Sequence, residues 1–148
     1  MIRFVLVVMR LSLILLLFVS APAQAALCLS YSSEVILQGV LTRHTFPEQP
    51  NYESIAKGDA KATYFFVSPP KPFCVAKGNN SSGDEPAEQQ VRRVQLVFLY
   101  AKAEHSYQSL RRYLGKKVVC RGSLFHAISG HHHSPVLLDD AECRAVHR

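Results

Sequence analysis

The chain of 148 residues lacks several features that would point to a defined chemistry. It has no Cys-x-x-Cys pair, which disfavours a redox-catalytic cysteine, and no Gly-x-Ser-x-Gly elbow to position a nucleophilic serine. No pair of acidic residues has a context that suggests tuned pKa values. After residue 25 there is no second hydrophobic segment of spanning length. These absences disfavour an enzyme and a membrane-embedded domain.

The N-terminal segment has the three parts of a signal peptide. Early positive charges, ending with Arg10, precede an apolar run from Leu11 to Val19, and small residues follow with Ala23 and Ala25 at the cleavage positions. A spanning helix needs about 20 apolar residues, whereas this run has nine. We therefore predict that residues 1–25 are a signal peptide cleaved after Ala25, which makes the mature protein extracytoplasmic with no membrane span.

The remaining residues, 26–148, fit a single domain. This length of 123 residues is enough for one hydrophobic core. Loss of Arg3 and Arg10 leaves 15 basic residues against 11 acidic ones, a formal charge of +4. Such a mild bias favours encounters with acidic surfaces without specifying a polyanionic ligand.

Four cysteines follow the predicted cleavage site, and an even number in an exported chain indicates two disulfides. Spacing alone allows three pairings. A hairpin centred between His131 and His132 would place Cys120 opposite Cys143, and a loop centred near Asn51 would leave Cys28 and Cys74 equidistant from it. The favoured pairs are therefore Cys28 with Cys74 and Cys120 with Cys143.

Hydrophobic patterning predicts five strands and one short helix. A polar loop is expected at residues 77–90 because its composition resembles that of disordered segments. The helix is expected to start at Ser106 as a cap and to stop at Gly115. The predicted strands are Glu34–Phe46, Lys61–Val67, Val91–Tyr100, Lys117–Ile128 and Val136–Ala145.

The order of three strands, one helix and two strands predicts a mainly β fold. It matches an OB-fold-like five-stranded antiparallel barrel with one short helix between strands three and four. Glycines at the middle of two strands, Gly39 and Gly122, fit bulges or tight bends in such a sheet. The alternative is another small antiparallel β-sandwich, or an open sheet with one helix.

A run of histidines at the predicted last hairpin is the most unusual local feature. Imidazole nitrogens bind zinc and copper, and residues two apart in an extended segment share one side. His131 and His133 are therefore candidate metal ligands, with His126 as a third; Asp139 or Asp140 could substitute for it. The alternative is a polar hairpin tip whose imidazoles bond the turn or face water.

Basic residues cluster in sequence between strands three and four. OB-folds bind oligonucleotides and oligosaccharides by combining charge with stacking aromatics. Arg93 and Arg121 are therefore candidate ligand-binding residues, although a solvated charged face explains the cluster equally simply and a nucleic-acid ligand is not expected.

Several motifs resemble those of a family of small exported bacterial domains of unknown function. They are the V-x-L-x-G-x-L strand, the NYES loop, and a C-terminal block containing LFHA-x-x-GHHH. The resemblance implies a bacterial periplasmic or secreted setting. It marks Asn51, Tyr52 and Glu53 as candidate ligand-binding residues, together with residues 130–133. The chain departs from the family pattern at Glu48 and Gln49, where the family shows Gly-Pro.

Taken together, these features predict a non-enzymatic binding or interaction module. Its partner would be a periplasmic or extracellular protein, a glycan or a small ligand. One alternative is a metal-binding protein that uses the histidine tip, with zinc or copper as the cofactor. Another is a small hydrolase built on Tyr52, Glu53 and the histidines.

Overall fold

A computed structural model describes residues 28–80, 83–99 and 103–146. The predicted signal peptide lies outside the described residues. Within them the chain is mainly β, as predicted, with nine strands, one short 3₁₀ helix at Ile55–Lys57 and one α-helix. The α-helix, α1, is Ala103–Arg111; the strands are β1 Glu34–Pro47, β2 Lys61–Ser68, β3 Phe73–Val75, β4 Gly78–Asn80, β5 Gly83–Glu85, β6 Glu88–Val91, β7 Val94–Leu96, β8 Lys117–His126 and β9 Val136–Ala145.

Five strands form the main sheet in the order β1-β2-β7-β9-β8. Strand β1 pairs antiparallel with both β2 and β8, so the sheet closes on itself. The prediction that all neighbours are antiparallel is wrong for β7 and β9, which run parallel. An odd number of strands cannot alternate in direction around a closed circuit, so at least one neighbouring pair must be parallel.

The third strand of this sheet is shorter, and the helix begins earlier, than predicted. Strand β7 covers only Val94–Leu96, and Tyr100 lies outside the described residues. The helix begins at Ala103 rather than at Ser106, and it occurs in the chain between β7 and β8. Leu110 is its buried anchor, at 2% exposure, and Tyr107 packs beside the core. A helix this short is held by such packing rather than by its own propensity.

The prediction that residues 77–90 form a loop is wrong, although most of the described side chains in this segment are exposed to solvent, as predicted. Strand β4 pairs with β5, and β6 pairs with β3. The Tyr31 hydroxyl donates to the carbonyl of Pro86 at 3.0 Å, and the His126 amide donates to the Glu85 carboxylate at 3.3 Å. These hydrogen bonds order a segment of polar composition. Because their partners lie far away in the chain, the local sequence does not reveal them.

Two mid-strand glycines allow close backbone approach. The predicted irregularity is found at Gly122, whereas the ladders of β1 show no register shift at Gly39. A Cβ atom on Gly39 would lie 2.4 Å from the carbonyl oxygen of Ser68 on β2. One on Gly122 would lie 2.4 Å from the carbonyl oxygen of Asp139, at the register shift between β8 and β9. Any larger residue would push these strands apart.

Both predicted disulfides are confirmed. Cys120 and Cys143 are direct partners in the β8–β9 ladder. Cys28 bonds Cys74, and the Leu29 amide donates to the Cys74 carbonyl at 2.9 Å beside it. One bridge therefore braces a hairpin, and the other fastens the start of the described chain to β3. No helix within the described residues is long and apolar enough to cross a membrane.

Candidate functional site

The loop between β1 and β2, residues 48–60, is called here the NYES loop and is organised by Asp59. The Asp59 carboxylate accepts hydrogen bonds from the backbone amides of Asn51, Glu53 and Ser54 at 3.0, 2.8 and 2.7 Å. It also accepts one from the Asn51 side-chain amide at 3.1 Å. The bond from Ser54 is the strongest cause that lowers the pKa of Asp59. The carboxylate therefore fixes the NYES segment from within.

This loop presents Tyr52 to the histidine tip, defined here as residues 130–134. Tyr52 has φ +59°, a left-handed conformation that bulky residues rarely adopt. Its ring covers Gly130, where a Cβ atom would lie 3.1–3.3 Å from three ring carbons. The Tyr52 hydroxyl lies 3.4 Å from His131 Nε2. The two motifs highlighted by the resemblance therefore meet in space.

A buried glutamine on β7 hydrogen-bonds the backbone of the histidine tip. Gln95 is 1% exposed. Its side-chain Nε2 donates to the His131 carbonyl at 2.9 Å, and its Oε1 accepts from the His133 amide at 2.6 Å. Both polar atoms of a buried amide are thereby satisfied, and the backbone of two histidines is fixed at once.

Glu48 is the centre of the cluster. It is 7% exposed, and its Oε1 accepts a hydrogen bond from the Tyr64 hydroxyl at 2.7 Å. Its Oε2 contacts His131 Nδ1, and its Oε1 lies 3.6 Å from His133 Nε2. Burial alone would raise the pKa of Glu48, but the Tyr64 hydrogen bond and the two histidines outweigh it, so the pKa is lowered. The carboxylate is therefore ionised.

The three consecutive histidines have different surroundings. His133 stacks on Phe46 with ring centroids 3.8 Å apart and planes 4° apart. His132 instead accepts a hydrogen bond from the Ile128 amide at 2.9 Å and meets the Phe125 ring edge-on at 5.3 Å. Burial, followed by the neighbouring imidazoles, lowers the pKa of His132. His131 and His133 thus converge on Glu48, while His132 is a packing residue.

His126 belongs to a different cluster. Its Nε2 lies 3.1 Å from Glu88 Oε1, and its ring meets that of Tyr31 edge-on at 6.1 Å. Burial, then Glu88 and Glu85, raises the pKa of Tyr31 to about 12. The predicted third partner of His131 and His133 therefore ties β8 to the β4–β6 segment.

The remaining candidates have mainly architectural contacts. Asn51 and Glu53 donate to Asp59, as described above. Arg93 lies 4.6 Å over the Phe66 ring and donates to the His133 carbonyl at 3.4 Å. Arg121 forms an ion pair with Glu34, which raises its pKa. The two arginines therefore support separate parts of the sheet.

A cavity of about 350 Å³ adjoins the cluster. It opens where β2 and β7 separate, because their ladder has only two paired positions, Phe66 with Gln95 and Val67 with Val94. Its wall is mostly aromatic and aliphatic, with the tip contributing polar groups, which is the usual composition of a small-ligand pocket. The lining residues are Thr63, Tyr64, Phe65, Gln95, Leu96, Val97, Phe98, Ala103, Glu104, Tyr107, His131 and His132.

The fold and this site define a small, mainly β, disulfide-bonded domain with a polar cluster beside an apolar cavity. Residues 93–142 match the model of a family described as a domain of unknown function, DUF4431. The matched segment contains Gln95 and all three tip histidines. It begins after the NYES loop and does not include it. No curated protein and no solved structure matches the chain.

Sequence reasoning missed three residues that build this site: Glu48, Gln95 and Asp59. Glu48 drew notice only as a departure from a family pattern. Gln95 is a single polar residue between Val94 and Leu96 on a strand that is buried at all three positions. A polar residue between two apolar ones in a short strand was the feature that could have identified it. Asp59 had no signal beyond its place after Gly58.

Proposed function

We propose that the chain is an exported, non-enzymatic binding module of the OB-fold type. Numbered within the main sheet, its strands follow the order first, second, third, fifth, fourth, and the helix separates the third from the fourth. OB-folds bind ligands on the face of strands two and three, flanked by the loops that join strands one to two and four to five. In this chain those elements are β2, β7, the NYES loop and the histidine tip.

The observation that carries the proposal is the cavity at this same place. Tyr64, Gln95 and His131 border it, and each is held by a bond to the Glu48 cluster or to the tip backbone. Fixed polar groups beside aromatic walls give orientation and affinity without much loss of conformational entropy. The site is therefore built to receive a ligand of modest size.

The chemistry of the wall favours a neutral saccharide over a polyanion. No lysine or arginine is among the cavity-lining residues of the described chain, whereas a single-stranded nucleic acid requires a positively charged groove. Aromatic faces from Tyr64, Phe98 and Tyr107, with a carboxylate from Glu104, suit stacking and hydrogen bonding to sugar rings. Glycan, rather than nucleic acid, is the ligand class we propose.

Export is the second part of the proposal. Two disulfides fit an oxidising compartment, and the signal-peptide pattern of residues 1–25 provides the route. A periplasmic or secreted protein that binds glycan would meet its ligand in that compartment.

Filling the cavity is the direct test. Ala103 lines it at the first turn of α1, so Ala103→Phe should occupy the space while leaving every hydrogen bond of the cluster intact. We expect the wild-type protein to bind at least one member of an array of neutral oligosaccharides, and Ala103→Phe to weaken that binding by tenfold or more.

Ala56→Phe is the matched control, because Ala56 is exposed on the 3₁₀ helix and does not line the cavity. It should bind as the wild type does. Equal binding by all three proteins would overturn the assignment of the cavity, and a folded wild type that binds no member of the array would overturn the ligand class.

A further inference from the structure

The polar side chains that border the cavity fall into two groups. Three of them, Glu104, Tyr107 and His132, retain hydrogen-bonding capacity for a ligand. A phenolic hydroxyl both donates and accepts, so Tyr107 adds little selectivity, which therefore depends on Glu104 and His132. The other four already have partners within the protein: Thr63 with Thr45, Tyr64 and His131 with Glu48, and Gln95 with the tip backbone.

His132 supplies a hydrogen-bond donor. Its Nδ1 accepts a hydrogen bond from the Ile128 amide at 2.9 Å, so this nitrogen carries no proton. A neutral imidazole then has its proton on the other nitrogen, Nε2. Burial, which lowers the pKa of His132, favours the same neutral form. The ring also meets Phe125 edge-on at 5.3 Å, and this packing restricts its rotation. The ring of His132 therefore offers the ligand a donor.

Glu104 supplies an acceptor. It lies in the first turn of α1, where the positive end of the helix dipole favours a carboxylate. Its Oε1 accepts a hydrogen bond from Gln108 Nε2 at 2.7 Å, and this bond restrains the side chain from the next turn of the helix. An ionised carboxylate accepts several hydrogen bonds and donates none. Glu104 therefore offers the ligand an acceptor that carries a negative charge.

A donor and a charged acceptor in one cavity select among the substituents that sugars carry. A carboxylate, as in a uronic acid, could accept from His132 but would be repelled by Glu104. An ammonium group would suit Glu104 but has no lone pair with which to accept from His132. An acetamido group satisfies both, because its carbonyl oxygen accepts, its N–H donates and it carries no charge.

The apolar part of the wall favours the same substituent. A hydroxyl group could bond to either residue, but it presents no apolar surface. The methyl group of an acetamido substituent does present one, and apolar walls with a few fixed polar groups are the usual design of a small-ligand pocket. The aliphatic lining residues are Leu96, Val97 and Ala103.

We propose that the cavity binds an N-acetylated amino sugar, whose acetamido carbonyl accepts from His132 Nε2 and whose acetamido N–H donates to Glu104. The cavity volume of about 350 Å³ lies within the range of small-ligand pockets. This inference rests on the function proposed above, because it names the saccharide class for the same cavity.

Chitotetraose and cellotetraose test the inference, because they share one backbone and differ in having an acetamido group or a hydroxyl on each ring. Calorimetric titration of each into the disulfide-bonded protein gives two dissociation constants. We expect the wild type to prefer chitotetraose by at least tenfold, and Glu104→Ala and His132→Ala each to reduce that ratio to threefold or less. Glu104 is exposed, so Glu104→Ala keeps the test valid if His132→Ala unfolds.

His105→Ala is the matched control. His105 is the next residue of α1, is exposed and does not line the cavity, so this variant should keep the wild-type ratio. The readout is the ratio of the two affinities, because the loss of a general cavity contact would weaken both tetrasaccharides alike.

Three results would overturn the inference. Equal affinities for the two tetrasaccharides, both weakened by Ala103→Phe, would leave a glycan site without acetamido selectivity. A preference that survives in both Glu104→Ala and His132→Ala would place the acetamido group elsewhere. The third is binding of neither tetrasaccharide: the proposed function would then stand if another member of the oligosaccharide array binds and Ala103→Phe weakens it, and would fall with the inference if no member binds.

Discussion

Replacing Cys28 and Cys74 together with serine is expected to lower the melting temperature by about 15 °C. The bridge closes a segment of 46 residues. The chain-entropy relation for that length gives about 4 kcal/mol, and a domain of this size loses roughly 4 °C per kcal/mol. Thermal unfolding followed by circular dichroism, in the absence of reductant, measures the change.

The second bridge provides the matched comparison. Cys120 and Cys143 close only 23 residues, so the same relation gives about 3.4 kcal/mol for Cys120→Ser with Cys143→Ser. Removing the Cys28–Cys74 bridge should therefore lower the free energy of unfolding more than removing the Cys120–Cys143 bridge. A change of less than about 1 kcal/mol on removing Cys28 and Cys74 would contradict the role given to that bridge.

Replacing Phe65 with alanine is expected to cost about 3–5 kcal/mol of unfolding free energy. Phe65 is 1% exposed and packs against Tyr107 at 5.0 Å and Phe98 at 6.4 Å between ring centroids. Removing its ring would leave a void that joins the cavity between β2, β7 and α1, and α1 would lose packing against the sheet. Urea unfolding measures the loss directly.

Ile36→Ala is the control for Phe65→Ala. Ile36 is an equally apolar residue, but it is 71% exposed, and surface substitutions usually change stability by about 0.5 kcal/mol or less. Similar losses at both positions would contradict the location of the core. A small loss at Phe65 would indicate that α1 does not pack on the sheet as described.

The fold was largely predictable because its main elements leave strong local signals. Alternating apolar residues mark β1 and β8, and mid-strand glycines mark their close approaches. The spacing of Cys120 and Cys143 about the last turn follows from the hairpin that they brace. The parallel pair of β7 and β9 follows from closing an odd number of strands, which strand prediction alone does not specify.

The site was predictable only in part. Motif resemblance located Tyr52 and the histidine tip, because both have distinctive local sequences. Glu48 could not be identified, since its meaning depends on partners that lie far away in the chain, Tyr64 and His131. The same is true of His126, which is near the tip in sequence but pairs with Glu88. Local sequence identifies candidate residues, and the tertiary structure determines which of them lie close together.

The central claim is that the NYES loop and the histidine tip form one surface, and the contact between Tyr52 and Gly130 tests it most directly. Nuclear Overhauser spectroscopy on the mature, disulfide-bonded protein measures the proximity of the Tyr52 ring protons to the Gly130 Hα protons. Because the Cβ direction of Gly130 points at ring carbons 3.1–3.3 Å away, a strong cross-peak is predicted. Its absence, with both resonances assigned and sharp, would show that the two motifs lie apart and would contradict the account.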